Sequence, residues 1–170
     1  MNAVVYYSKT NESKKIAEYF SKKLNYNIID IEIIDMFNFN NLILAFPVHC
    51  QNIPNPVKLF LNNIKVNNLT IIATYGKMCP GNVLKEIQNK YHKNIVAAAY
   101  VPTKHSYIVD DNSFYEYYKL EEIITKINNP SIIKLPKMYN NPLANLFPKF
   151  RSRIGFKIYK NNNYNVCNKI

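Results

Sequence analysis

Residues 3–7 read AVVYY, and residues 8–24 continue SKTNESKKIAEYFSKKL. The first five are a short apolar, β-branched and aromatic run, which marks a strand buried on both faces rather than one that alternates toward water. In the continuation, Ile16, Ala17, Phe20 and Leu24 fall at helical spacing while Lys and Glu take the opposite face, so a helix over 11–24 is predicted, with Asn11 as a cap. Between the two lies Ser8-Lys9-Thr10-Asn11-Glu12-Ser13, a hydroxyl-rich loop that joins a strand to a helix N-terminus. Unpaired N–H groups and the helix dipole make such a place favourable for an anion. The loop lacks the GK[ST] ending of a Walker motif, and it contains no glycine, so it is no dinucleotide fingerprint.

Working outward, the same alternation recurs. Strands are predicted near Ile28 to Ile33, at Asn41 to Phe46 (NLILAF), at Leu69 to Thr74 (LTIIAT) and at Ile95 to Val101 (IVAAAYV). Helices are predicted from about Pro56, from about Asn82 to Tyr91 and from about Ser113 to Ile127. Five apolar strands alternating with helices imply an α/β doubly wound fold, because parallel strands need crossovers that cover both faces of the sheet. Only Asp35 to Asn40 separate the second strand from the third, which leaves room for one helical turn at most. After about Asn129 the composition turns to Pro, Asn and basic residues, so the chain divides into a domain at 1–129 and a Pro/Asn-rich basic tail at 130–170.

Composition narrows the function. With 48% apolar residues, 14 Tyr and 9 Phe in 170 residues, the chain is too apolar to remain disordered. No apolar run reaches the roughly 18 residues of a membrane span, and MNAVVYYSK does not have the layout of a signal peptide, so a cytoplasmic protein with no membrane partner is expected. Cys50, Cys79 and Cys167 form no CxxC pair, which argues for reduced thiols and against a metal site. The net charge of +11 favours acidic partners. Its lysines and arginines are scattered among Asn and Glu and match no nucleic-acid recognition motif, so no nucleic-acid partner is expected.

Four segments together carry a family resemblance. YYSKTNESKKIAEYF resembles the flavodoxin phosphate-binding loop, with Ser8, Thr10 and Ser13 at its hydroxyl positions and Asn11 in the place of its usual glycine. Asn is the best non-glycine substitute there, because it enters left-handed backbone conformations most readily. LILAFPVHCQNIPNPVKLFL is similar to the family's segment after the third strand, through Pro47, Val48, Pro54, Pro56, Val57 and Phe60. TIIATYGKMCPGNVLKEI resembles the loop that closes over the flavin ring, through Tyr75 and Gly76. VAAAYVPTKHSY resembles the end of the fifth strand in flavodoxin domains fused to a bacterial-type ferredoxin. The Pro-rich basic segment at 141–170 is similar to the connection in those proteins, with Cys167 at the first cluster position and Ile170 in the place of the second cysteine, so no iron-sulfur cluster is expected from this chain alone.

What the resemblance implies is a flavodoxin-like five-stranded parallel sheet in the order 2-1-3-4-5 that binds flavin mononucleotide (FMN). On that reading the protein is an electron carrier or small flavin oxidoreductase passing electrons to an acidic redox protein. Ser8, Lys9, Thr10, Asn11, Glu12 and Ser13 would hold the phosphate, with Lys9 adding charge. Pro47, Val48, His49, Cys50, Gln51 and Asn52 would flank the ring on one side, and Thr74, Tyr75, Gly76, Lys77, Met78 and Cys79 on the other. His49 and Tyr75 are the candidate ring walls, with Met78 as a soft substitute. Gln51 stands where glycine permits a peptide flip in the family, and a side chain there would restrict it. No residue is assigned catalysis.

The residues also admit plainer readings. Taken alone, the hydroxyl loop also reads as a helix cap made by Asn11 or Ser13, although the other loops favour phosphate binding; His49 also reads as a surface histidine, and Cys50 and Cys79 read first as small packing residues. With Gly76, Gly81 and Gly155 the only glycines, a degenerate module that binds no flavin and serves as a scaffold is the alternative function.

Overall fold

A computed structural model describes residues 1–76, 80–103 and 117–137. The elements run β1 (Asn2–Tyr6), α1 (Glu12–Leu24), β2 (Asn27–Asp30), β3 (Asn38–Pro47), α2 (Asn55–Asn63), β4 (Lys65–Tyr75), α3 (Val83–Tyr91), β5 (Ile95–Pro102) and α4 (Tyr117–Asn128). The strands form one parallel sheet in the order β2-β1-β3-β4-β5, as the resemblance implies. The winding direction reverses between β1 and β3, so the loops leaving those two strands diverge and open a crevice at their carboxyl ends.

Strand alternation sorts the core into two layers. Val5, Leu44, Phe46, Ile71 and Ile95 face α2 and α3, where Val57, Phe60, Leu61, Val83 and Ile87 meet them. Val4, Ile43, Ala45, Ile72 and Ala97 face α1 and α4, where Ile16, Ala17, Phe20, Leu120, Ile123 and Ile127 close the second layer. Both faces are covered, which is why the central strands read as continuous apolar runs.

Two strands start earlier than their apolar runs suggest. Asn38, Asn40 and Asn41 and, on the neighbouring strand, Lys65, Asn67 and Asn68 are polar, yet the stretches pair in register, with Asn2 opposite Asn41 and Asn41 opposite Asn68. The amides bond sideways across the sheet: Asn41 Nδ2 donates to Asn2 Oδ1 at 3.1 Å, Asn68 Nδ2 to Asn41 Oδ1 and Asn67 Nδ2 to Asn40 Oδ1, each at 2.9 Å. Asparagine usually leaves a strand because its side chain competes for its own backbone, and here neighbouring amides absorb that capacity.

β2 ends three residues early. Asp30 Oδ1 accepts the Glu32 N–H at 3.0 Å and the Asp30 carbonyl accepts the Ile33 N–H at 3.2 Å, a carboxylate-built turn that redirects the chain and leaves Ile33 79% exposed. The crossover to β3 contains no helix, within the single turn allowed by its length. Past α4, Ile133 N donates to Ile95 O at 2.9 Å, and Gln88 of α3 clamps the same stretch by donating to Ile133 O at 2.7 Å and accepting from Leu135 N at 3.1 Å. Leu135 is thereby buried in the α2–α3 layer.

Candidate functional site

Three loops leave the carboxyl ends of the adjacent strands β1, β3 and β4. In the first, Asn11 is the residue before α1 and has φ 63°, the left-handed region, with no side-chain hydrogen bond to the helix. The amide therefore does not cap the helix; the residue supplies a backbone turn of the kind glycine makes. Ser13 does not cap it either. Its hydroxyl is buried and lies 2.8 Å from Thr74 Oγ1, which in turn reaches Phe46 O at 3.4 Å. Helix α1 therefore begins beside the half-buried Ser8 and the exposed Thr10 without a side-chain cap.

Charge at this loop is partly committed. Lys9 Nζ lies 2.6 Å from Glu32 Oε1 and 5.4 Å above the Tyr7 ring, and the Glu32 hydrogen bond raises its pKa above the ordinary lysine value. Glu12 in the first turn pairs with Lys15 at 2.8 Å, which offsets a carboxylate that would otherwise oppose an anion.

The second loop is a tight turn on His49-Cys50-Gln51-Asn52. His49 N donates to Asn52 O at 3.1 Å, Asn52 N to His49 O at 2.9 Å and Asn52 Nδ2 to Cys50 O at 2.8 Å. Both central residues have positive φ, 48° for Cys50 and 63° for Gln51, the pattern of a type I′ turn that ordinarily carries Asn-Gly. Each side chain held there costs about 1–2 kcal/mol. Replacing Cys50 by Asn and Gln51 by Gly together is therefore expected to stabilise the ligand-free protein by about 1–2 kcal/mol, read as a higher urea midpoint at constant m-value. A midpoint that stays put or falls would show that the turn holds no strain.

The Gln51 side-chain oxygen is buried with no hydrogen-bond partner among the described residues. A buried acceptor left so costs about 1–3 kcal/mol, and a ligand that brings an N–H or O–H to it would recover that cost. His49 is exposed by area, yet protein surrounds enough of the ring for desolvation to lower its pKa, so the imidazole is neutral at pH 7. Its ring meets Tyr7 edge-on, with centroids 6.4 Å apart.

The third loop begins at Tyr75, half-buried, whose carbonyl accepts the Thr103 N–H at 2.8 Å. Thr74 is buried beneath it and links all three loops: its hydroxyl meets Ser13, and its carbonyl accepts the Val48 N–H at 2.7 Å. Lys77, Met78 and Cys79 lie outside the described residues, as do His105, Cys167 and the segment similar to a ferredoxin connection.

No protein-family model matches the chain, and no curated protein does. Among solved structures, a candidate flavoprotein from Bacteroides uniformis aligns with TM-score 0.53 at 13% identity, over 61% of this chain and 91% of that one. The chain has a flavodoxin-like fold. Two further structures align with lower scores: the two-electron reduced flavodoxin of Megasphaera elsdenii (TM-score 0.49, 14% identity, 64% of this chain and 90% of that one) and the Trp repressor binding protein of Bacillus subtilis (0.48, 14%, 77% and 99%).

The flavodoxin-like sheet thus brings Ser8, Thr10, Asn11, His49, Gln51 and Tyr75 to one end, while Ser13 and Thr74 brace the loops from below. Sequence reading missed Tyr7, which stands between Lys9 and His49, and Tyr100, whose ring meets Tyr75; both sit in apolar runs where they pass for core. At the opposite end of the sheet, Met1, Asn38, Phe39, Asn40, Lys65 and Asn67 line an open depression of about 310 Å³, a hollow of amides and one lysine with no pair of acid and base. Among the described residues no cluster of His, Cys, Asp or Glu is arranged to hold a metal, and no helix is long and apolar enough to cross a membrane.

Proposed function

We propose that the protein binds FMN across these three loops and serves as an electron carrier or small oxidoreductase in the cytoplasm, with residues 1–129 as the binding unit and 130–170 as a basic tail. The observation that carries this reading is Asn11: a left-handed residue before an uncapped helix N-terminus, placed where the sheet reverses its winding. The hydroxyls of Ser8 and Thr10 and the N–H groups from Lys9 to Ser13 hold the phosphate. His49 and Tyr75 flank the ring. Gln51 Oε1 accepts an N–H from its edge, which gives the orphaned oxygen a partner. The FMN ring, when bound, accepts and returns electrons, and the protein sets its environment through such contacts. With a net charge of +11, the chain meets an acidic protein partner, and that association weakens with salt.

A second reading, a flavin-free binding module on the same fold, is favoured by one observation: the Ser13 hydroxyl faces Thr74 instead of the loop. Titration with FMN against riboflavin separates the two, followed by flavin fluorescence and the visible spectrum. FMN binding that riboflavin cannot match supports the first reading. No binding of either at saturating concentration would replace it with the second.

A further inference from the structure

We infer that Tyr100 is a positioning residue beside β4: one phenol bridges the span between Tyr75, where β4 ends, and Gly81, just before α3, and so sets where Tyr75 stands against a bound ring. The inference rests on the flavin reading above. Tyr100 lies on β5 opposite Ala73, half-buried, and its side chain reaches across to α3. At the far end of the span, its hydroxyl donates to Gly81 O at 2.8 Å and accepts from Leu84 N at 3.1 Å. At the near end, its ring meets that of Tyr75 edge-on, with centroids 6.2 Å apart and planes at 84°.

Both anchors answer a local need. Leu84 is in the first turn of α3, whose N–H groups have no intrahelical acceptor, and Asn82 makes no side-chain hydrogen bond to the helix. The Tyr100 oxygen takes the role of a cap from a different strand. Gly81 has φ 69°, a conformation open to glycine, and its carbonyl is aimed at the phenol by that turn. Because the hydroxyl is bonded at the far end and the ring packed at the near end, removing the hydroxyl alone frees Gly81 and Leu84 while keeping the contact with Tyr75.

The test uses the full chain and Tyr100→Phe. Amide hydrogen exchange at Leu84 is expected to quicken about tenfold or more, with the exchange of core β3 amides unchanged. In Tyr100→Leu, which also removes the ring contact with Tyr75, riboflavin and FMN are both expected to bind about tenfold more weakly, by the same factor, and the visible spectrum of bound flavin to shift. That common loss separates a ring-side effect from a phosphate-side one, which would spare riboflavin. Wild-type exchange at Leu84 in Tyr100→Phe, or wild-type affinity and spectrum for both flavins in Tyr100→Leu, would overturn the inference. If the unaltered protein takes up neither flavin, the proposed function falls, and exchange at Leu84 alone decides whether Tyr100 holds the start of α3.

Discussion

Substituting Ser8 with alanine and Thr10 with valine in one protein is expected to weaken FMN binding by about 10² to 10⁴-fold and to leave riboflavin binding unchanged. Each hydroxyl that donates to a phosphate makes a charge-assisted bond, and such bonds contribute about 1.5–3 kcal/mol apiece. Two of them therefore amount to about 3–6 kcal/mol, and every 1.4 kcal/mol is tenfold in affinity. Ser8 is half-buried and Thr10 exposed, so neither substitution opens a cavity, and the fold should survive both. Ser13 is left out of the pair because its hydroxyl faces Thr74, and its loss would disturb the bracing as well as the loop. Equal losses for FMN and riboflavin would place the effect on the ring side and refute the phosphate assignment. Unchanged FMN affinity would remove the loop from the site altogether.

Phe46→Ala is expected to cost about 3–5 kcal/mol of stability, the range for truncating a buried phenylalanine. Phe46 is fully buried on β3, in the layer shared with α2 and α3, and its carbonyl accepts the Thr74 hydroxyl. A domain of this size has about 5–15 kcal/mol in total, so the loss removes a large share of it. Phe46→Leu, which keeps most of the volume, should lose less than about 1.5 kcal/mol. Urea melts of the three proteins measure both quantities. A loss under about 1 kcal/mol for the alanine variant would mean that the layer closes over the gap.

The layered sheet was legible because its evidence is local. Five apolar runs, each bounded by polar residues, leave little choice but parallel strands, and the order follows once the family resemblance is accepted. What escaped depended on partners far along the chain. Asn40 reads as a connector residue until Asn67, 27 positions on, is seen to donate to its side-chain oxygen. Ser13 reads as a loop hydroxyl until Thr74, 61 positions on, turns it inward. At Cys50 and Gln51 no sequence rule applies, since a turn with two positive φ angles is expected to advertise itself with Asn and Gly. Asp30 gave a local signal, an acidic residue able to bond its own chain two places on, but it lay inside an isoleucine-rich run that outweighed it.

The way the sheet ends on either side bears on how the protein behaves when crowded. A row of unpaired backbone groups along an outer strand invites a second molecule to add its own strand, which is how many apolar sheets aggregate. β2 offers only four residues before the Asp30 turn bends the chain away. On the other flank, the first carbonyl of β5 is already taken by Ile133, and the strand closes on Pro102, which has no N–H to donate. Among the described residues, one flank is thus a short strand and the other a strand blocked at both ends, so a neighbour would have to begin its pairing between Ile95 and Pro102.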